Sequence, residues 1–382
     1  MAEVARLSLK LGLTAFGGPA AHIAMLRDEV VTRRQWMTDA YFLDLLAATN
    51  LIPGPNSTEM VIHAGFHRAG RRGLMVAGAL FILPAALITL AFAWIYVGYG
   101  TTPQLESFLY GVKPVVIAVI LQAIWGLGRS IAGQRPLLAT AAIAFALSLA
   151  GIDELFVLIG LGFAIMMMRV IANRGNVPLS VMLPVVPAAL THRAPDVIPF
   201  LLVSVEPYSP ARLFLEFLKI GATLYGTGYV LLSFLQQDLV EHLGWITEQQ
   251  LIDAVAVGQF TPGPVFTTAT FIGYFVGGWG GAALATIGIF LPAFLLVGVT
   301  HPLVPKLRAS PWSAGFLDGV SAAAVGLMAA VTVVLGRAAL VDPITIALAL
   351  LAAALLVLFR VNSAWVIVGG GFLGMAAKAA GF

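Results

Sequence analysis

Pro53-Gly54-Pro55-Asn56-Ser57-Thr58 and Pro262-Gly263-Pro264-Val265-Phe266-Thr267-Thr268 decide the fold. Each lies inside an apolar stretch long enough to enter a bilayer. Proline removes a helix donor and pushes the residue before it out of the helical region, so each stretch reads as two half-helices joined by a turn. A half-helix starting at such a turn presents free backbone N–H groups and the positive end of its dipole. In water such a terminus binds anions. Within lipid, an unwound backbone survives only where protein buries it or it lines a cavity. Paired interruptions at matching positions in two halves point to a transporter's binding site.

Composition supports a membrane setting. The 382 residues are 60% hydrophobic and 10% charged, where a soluble domain carries about 25% charged residues. Several apolar runs approach the ~20 residues that a helical span needs. The N-terminus carries Glu3, Arg6 and Lys10 ahead of a broken apolar stretch, which does not resemble a cleaved signal peptide. Cysteine is absent, which removes disulfides, thiolate metal sites, iron–sulfur clusters and cysteine nucleophiles. The net charge of +3 suits cytoplasmic loops rather than a nucleic-acid surface. No Gly-Lys dipeptide or strand-linked G-x-G-x-x-G occurs, so neither a nucleotide phosphate loop nor a dinucleotide site is expected.

An internal duplication organises the chain. A shift of 209 residues places Lys10 on Lys219, Gly12 on Gly221, Thr14 on Thr223, Trp36 on Trp245, Thr38 on Thr247 and Asp44 on Asp253. It also superposes the two Pro-Gly-Pro turns. After a one-residue slip, Leu83-Pro84 matches Leu291-Pro292 and Gly111 matches Gly319. Each repeat reads as six apolar segments, near 5–26, 40–66, 74–97, 108–128, 136–150 and 154–171, then 212–235, 250–276, 280–300, 316–336, 343–359 and 362–380. Gly17-Gly18-Pro19 breaks the first segment of one repeat, and Gly226-Thr227-Gly228 that of the other.

Loop charges set the expected orientation. The loop after segment two carries Arg68, Arg71 and Arg72 in the first repeat and no cation in the second. The loop after segment three carries none in the first and Lys306 and Arg308 in the second. By the positive-inside rule the repeats face opposite ways; Arg337 is a mild exception. The predicted fold is therefore all-α: a polytopic membrane protein of two inverted-topology repeats with broken or re-entrant helices. Its repeats are 1–175 and 211–382, joined by a connector, 176–210, with one crossing. The count is nine crossings plus four re-entrant hairpins, or thirteen if the hairpins cross.

The candidate substrate site comprises the turns, Pro53, Gly54 and Gly263, and the donors Asn56, Ser57, Thr58, Thr267 and Thr268; kinks with capped helix starts are the plainer alternative. Gly17, Gly18, Gly226 and Thr227 belong to the breaks in the first segments. Lys10 and Lys219 each precede a threonine by one helical turn; they stand beside a dianion or snorkel to the headgroups. His22 is a proton-linked group or a structural histidine. Glu59, His63 and His67 share a helix face at spacings of four. They suit proton relay or metal binding, or, at the arginine-flanked end, a solvated helix terminus. Glu59 is the stronger coupling candidate, with Asp44 second; helix capping explains Asp44 and its match Asp253 equally well. No catalytic residue, metal or cofactor is expected. Gly277-x-x-x-Gly281 and Gly370-x-x-x-Gly374 point to close helix packing, including a possible homodimer contact.

Phe16-Gly17-Gly18-Pro19-Ala20-Ala21-His22 and the two Pro-Gly-Pro turns resemble the chromate ion transporter family in its long two-domain form, over nearly the whole chain. The resemblance implies a multi-pass carrier in the cell inner membrane that exports chromate and gives chromate resistance. Sulfate is the structurally similar anion, and the family's halves have opposite topology. The second half departs from the first motif, with Gly226-Thr227-Gly228 in place of Gly-Gly-Pro, so the halves need not contribute equally. A sulfate carrier or exchanger, a passive anion channel, and a membrane enzyme are the alternatives. The last is disfavoured, since no thiol, flavin or haem motif is present.

Overall fold

The structure, a computed structural model, describes residues 1–16, 18–49, 52–99, 102–173, 207–224, 230–301, 311–359 and 361–380. These residues are helical with no strand among them. The first half contains α1 (Ala2–Thr14), α2 (Gly18–Arg27) running into a π-helix (Asp28–Arg33), α3 (Asp39–Thr49), α4 (Asn56–Tyr99), α5 (Pro103–Ile131), α6 (Arg135–Leu149) and α7 (Glu154–Asn173). The second repeats the order. It has α8 (Pro210–Thr223), α9 (Leu231–Leu235) with a π-helix (Gln236–His242), α10 (Glu248–Phe260), a 3₁₀ turn (Val265–Thr267), α11 (Thr268–Thr300), α12 (Pro311–Ala339), α13 (Pro343–Val357) and α14 (Ser363–Ala379). The twelve predicted segments coincide with these helices or helix pairs. The crossing expected in the connector falls outside the described residues.

Local chemistry sets the helix starts. α10 opens on a capping box in which Thr247 and Gln250 each bond the other's backbone N–H. α13 opens on the same device, with Asp342, Thr345 and Pro343 in the first turn.

α4 and α11 each contain a reversal at a matched position. The backbone leaves helical geometry at Ala69 (φ −146°, ψ 24°) and Gly70 (φ 61°, ψ −153°). It does so again at Gly277 (φ −135°, ψ 19°) and Gly278 (φ 61°, ψ −151°). The second residue of each pair sits where a Cβ is strained, which favours glycine. The arms then fold back on themselves: Gly65 abuts Gly73 and Ala77, and Gly273 abuts Gly281 and Ala285. The arginine cluster predicted as a loop lies at the first reversal.

The central helices are α5 and α12. Residues Val115 to Ile120 of α5 are all buried, so this helix has no single apolar face and belongs in the interior. At ~1.5 Å per residue, α5 and α12, of 29 residues each, exceed the ~30 Å hydrocarbon thickness. The 15-residue α6 and α13 reach only ~22 Å. Five described helices are long and apolar enough to cross a membrane. Large apolar side chains such as Leu350, Phe359 and Trp365 remain exposed on the outside, as a lipid-facing surface requires.

The halves exchange partners. α5 packs on α13 and α14 of the second half, and its equivalent α12 packs on α6 and α7 of the first. Gly111 is pressed against Gly370 and Gly374, while its counterpart Gly319 is pressed against Gly162, the counterpart of Gly370. This pairwise exchange is the pattern of an isologous interface. The small-residue stretches serve the close helix packing expected of them, within the chain. Gly370 and Gly374 meet Gly111, Gly281 meets Gly273, and Gly277 meets Tyr208, all within one chain.

Gly111→Val and Gly319→Val should each destabilise the purified protein in detergent by about 1–3 kcal/mol, because the added methyls meet backbone. Gly126 faces open space, so Gly126→Ala should shift thermal unfolding by less than about 1 kcal/mol and toward stability. At the reversal, Gly278→Ala should cost about 1–2 kcal/mol of left-handed strain in the same assay.

Candidate functional site

Each Pro-Gly-Pro turn is pinned by its glycine N–H to the opposite half. Gly54 donates to the Leu224 carbonyl at 2.7 Å, and Gly263 donates to the Ala15 carbonyl at 2.9 Å. Leu224 and Ala15 are the extended residues that end α8 and α1. Gly54 adjoins Ala293 of α11, and Gly263 adjoins Ala85, the matching residue of α4. The four interruptions therefore meet in two pairs across the halves: the first turn with the break after α8, and the second turn with the break after α1. Both glycines have positive φ, 143° and 87°, where a side chain is strained.

The first turn is lined by polar groups from two elements. Ser57, Thr58 and Glu59, in the first turn of α4, are buried, as is His22 in the middle of α2. His22 Nδ1 lies 3.4 Å from Ser57 Oγ. The His22 ring meets Phe81 edge-on at 5.8 Å. The Thr58 and Glu59 N–H groups return to the Pro55 carbonyl at 2.7 and 3.0 Å. Among the described residues, Thr58 Oγ1 and both carboxylate oxygens of Glu59 have no hydrogen-bond partner. The Glu59 carboxyl occupies the space that a Cβ on Gly54 would need. Carboxyl and turn are thus in direct contact.

The second turn is more closed. Thr267 Oγ1 donates to the Pro264 carbonyl at 2.9 Å, and Thr268 Oγ1 donates to that of Val265 at 2.8 Å. Thr89, on the long arm of α4, donates to Thr267 Oγ1 at 3.2 Å, with Thr261 Oγ1 at 3.5 Å. These hydroxyl protons are already committed, whereas the first turn keeps unsatisfied polar atoms. Gly18 opens α2, and Pro53 precedes Gly54 in the first turn. Gly17, Gly226 and Thr227 lie outside the described residues.

Lys10 and Lys219 are paired with carboxylates. Lys10 Nζ is 2.6 Å from Glu29; Lys219 Nζ is 2.8 Å from Asp238 and 2.7 Å from Glu216. Glu29 and Asp238, themselves related by the 209-residue shift, are buried in the two π-helices. Each half thus clamps its first helix to its π-helix with one buried carboxylate. Sequence reasoning passed over both acids, although each lies 19 residues after a matched lysine. Asp253 accepts from Tyr96 Oη at 2.9 Å and lies 3.4 Å from Lys113 Nζ, lining a cavity of about 470 Å³ with Gln249. Its match Asp44 is half-buried on α3.

The column Glu59, His63, His67 gains a partner that sequence spacing did not show. His63 Nδ1 lies 2.9 Å from Nδ1 of His301, at the end of α11. No local signal could have found a pair 238 residues apart.

The chromate transporter family profile matches the chain twice, over residues 2–167 and 211–375. A probable chromate transport protein of Synechococcus elongatus is 31% identical over 92% of this chain and 88% of its own. Chromate transport proteins of Cupriavidus metallidurans and Pseudomonas aeruginosa are 31% and 33% identical, over 97% and 96% of this chain and 91% and 90% of theirs. No solved structure matches significantly. Twofold profile coverage and near full-length likeness together establish that this chain belongs to the chromate transporter family.

Proposed function

We propose that the chain is a secondary carrier that moves chromate out of the cell across the inner membrane and so confers chromate resistance. The observation that carries the reading is that each turn meets the helix break of the opposite half, with buried, unsatisfied polar groups at the first turn. Chromate transport is what the names of its relatives describe. A tetrahedral dianion would sit at the start of α4, held by the helix dipole and by Asn56, Ser57, Thr58 and His22. Thr267 and Thr268 would face it from the second turn. Pro53, Gly54, Gly263, the Gly17-Gly18 break and the Gly226-Thr227 break would shape the site. Lys10 and Lys219 would act at a distance, their charges already paired, and Asp44 would serve the periphery of coupling.

The two halves would be mounted with opposite topology, as the loop charges favour and as exchanged contacts allow. Rocking of one half against the other would alternate access. Outward movement is downhill in potential. Each charge is worth about 2.3 kcal/mol per 100 mV, so a dianion leaving a negative interior gains about twice that.

Glu59 sets a condition on binding. A carboxylate about 6 Å from a bound anion is repelled by about 3 kcal/mol per anion charge at an effective dielectric of 20. The carrier would therefore hold the anion with Glu59 protonated, which couples anion to proton.

Radiolabelled chromate exchange in proteoliposomes tests this. Counter-flow should accelerate uptake, as it does in a carrier and not in a channel, and sulfate should compete. Asn56→Ala and Thr58→Ala, whose hydroxyl has no partner among the described residues, should each slow exchange about tenfold, the loss of ~1.4 kcal/mol of hydrogen bonding. Normal exchange in both would place the anion elsewhere. Glu59→Gln, a neutral mimic, should keep chromate binding and lose its dependence on pH.

A further inference from the structure

We propose that His67, His301 and His63 form a proton path leading from the arginine-flanked end of α4's short arm to Glu59. The proposal rests on the reading of Glu59 as the group that is neutral when the anion is bound. It adds the route by which the proton arrives.

The path crosses from solvent to core in one direction. His67 is exposed, His301 is nearly buried, and His63 and Glu59 are fully buried. The rings of His67 and His301 lie 6.5 Å apart, and those of His301 and His63 lie 5.2 Å apart. Two imidazole nitrogens 2.9 Å apart hold one proton between them, because each ring nitrogen is either donor or acceptor. An imidazole that accepts a proton at one nitrogen can release one from the other. His63 Nε2, the nitrogen opposite the shared bond, has no partner among the described residues. Neither have the Glu59 oxygens, one helical turn away at ~6 Å between Cβ atoms. A single water would bridge a gap of that size.

The step balances without a further reactant. A proton from bulk water binds His67 Nδ1, since Nε2–H is held by the Trp36 carbonyl, and that N–H bond breaks as one forms at His301 Nε2. The His301 Nδ1–H bond breaks as an N–H bond forms at His63 Nδ1. The His63 Nε2–H then breaks to protonate the Glu59 carboxylate. Reversal of these transfers discharges Glu59 after the anion leaves.

The groups facing the path come from several elements. Facing His67 are Tyr41 from α3, ring to ring at 4.9 Å, and the Trp36 carbonyl at 3.1 Å. Arg68 is turned away toward Glu3 of α1 and, with Arg34, lies over the Trp36 ring. Facing His301 is Phe66. His22 of α2 bonds Ser57, two residues before Glu59. Among the described residues, none forms an ion pair with Glu59, His63 or His301.

The test uses the purified full chain in proteoliposomes, with radiolabelled chromate outside and a pH-sensitive dye inside. Wild type should show a chromate-dependent change of internal pH. His63→Gln and His301→Gln should reduce that proton movement about tenfold or more, while chromate-for-chromate exchange stays within about twofold. Their thermal unfolding in detergent should match wild type. Wild-type exchange without any pH change overturns the relay and leaves the carrier reading standing. Variants that move protons normally, or lose exchange and proton movement together, also overturn it. If wild type exchanges no chromate, the underlying functional reading fails instead.

Discussion

An interrupted backbone inside lipid must find partners for its own N–H and C=O groups, since each one left unmet costs several kcal/mol. Here the partners come from the other half. Gly54 bonds the carbonyl that ends α8, and Gly263 bonds the carbonyl that ends α1. Neither glycine N–H is satisfied within its own repeat. One half folded alone would leave both a donor and an acceptor exposed at membrane depth. The same two bonds join each turn to a break of the opposite half, so the constraint that keeps the fold together also shapes the candidate site.

The exchange continues outward from there. The middle of α5 and much of α12 are buried because each is enclosed by the fifth and sixth helices of the opposite repeat. Glycine at matched positions lets these backbones touch. Helix association in lipid has no hydrophobic drive between helices and relies on close packing of small residues. Swapped packing on this scale makes the halves one folding unit rather than two domains on a linker.

Much of this was legible in the sequence because it is written locally and written twice. Proline and glycine at fixed offsets gave the turns, hydropathy gave the twelve segments, and the arginine run marked the reversal at Gly70. What stayed hidden depends on neighbours distant in the chain. Nothing near Ala15 says that its carbonyl will meet Gly263. The π-helices carry no composition signal of their own, and Glu29 and Asp238 differ in identity, which weakened the match. Lys10 and Lys219 read as candidate anion partners because a charge in an apolar segment demands a counter-ion. The structure supplies that counter-ion from the π-helices. The Gly370 and Gly277 stretches signalled close approach correctly, but spacing cannot distinguish a helix of the same chain from one of another.

The duplication is faithful where it serves scaffold and unfaithful where it would serve chemistry. Lysine-to-acid clamps, glycine contacts, reversals and turn-to-carbonyl bonds all occur in pairs. The histidines and Glu59 do not. His22 matches Leu231, and Glu59 falls on Thr267 or Thr268, depending on which side of the one-residue slip it is placed. His63 falls on Phe271 or Ile272, His67 on Phe275, and His301 on Ala93. A symmetric scaffold can rock between two states of comparable energy. Titratable groups confined to one of its turns respond differently in each, because that turn alone exchanges its surroundings while holding charge. Such a division suits a carrier that binds one anion at a time: two equal charged sites at the same centre would repel each other's contents.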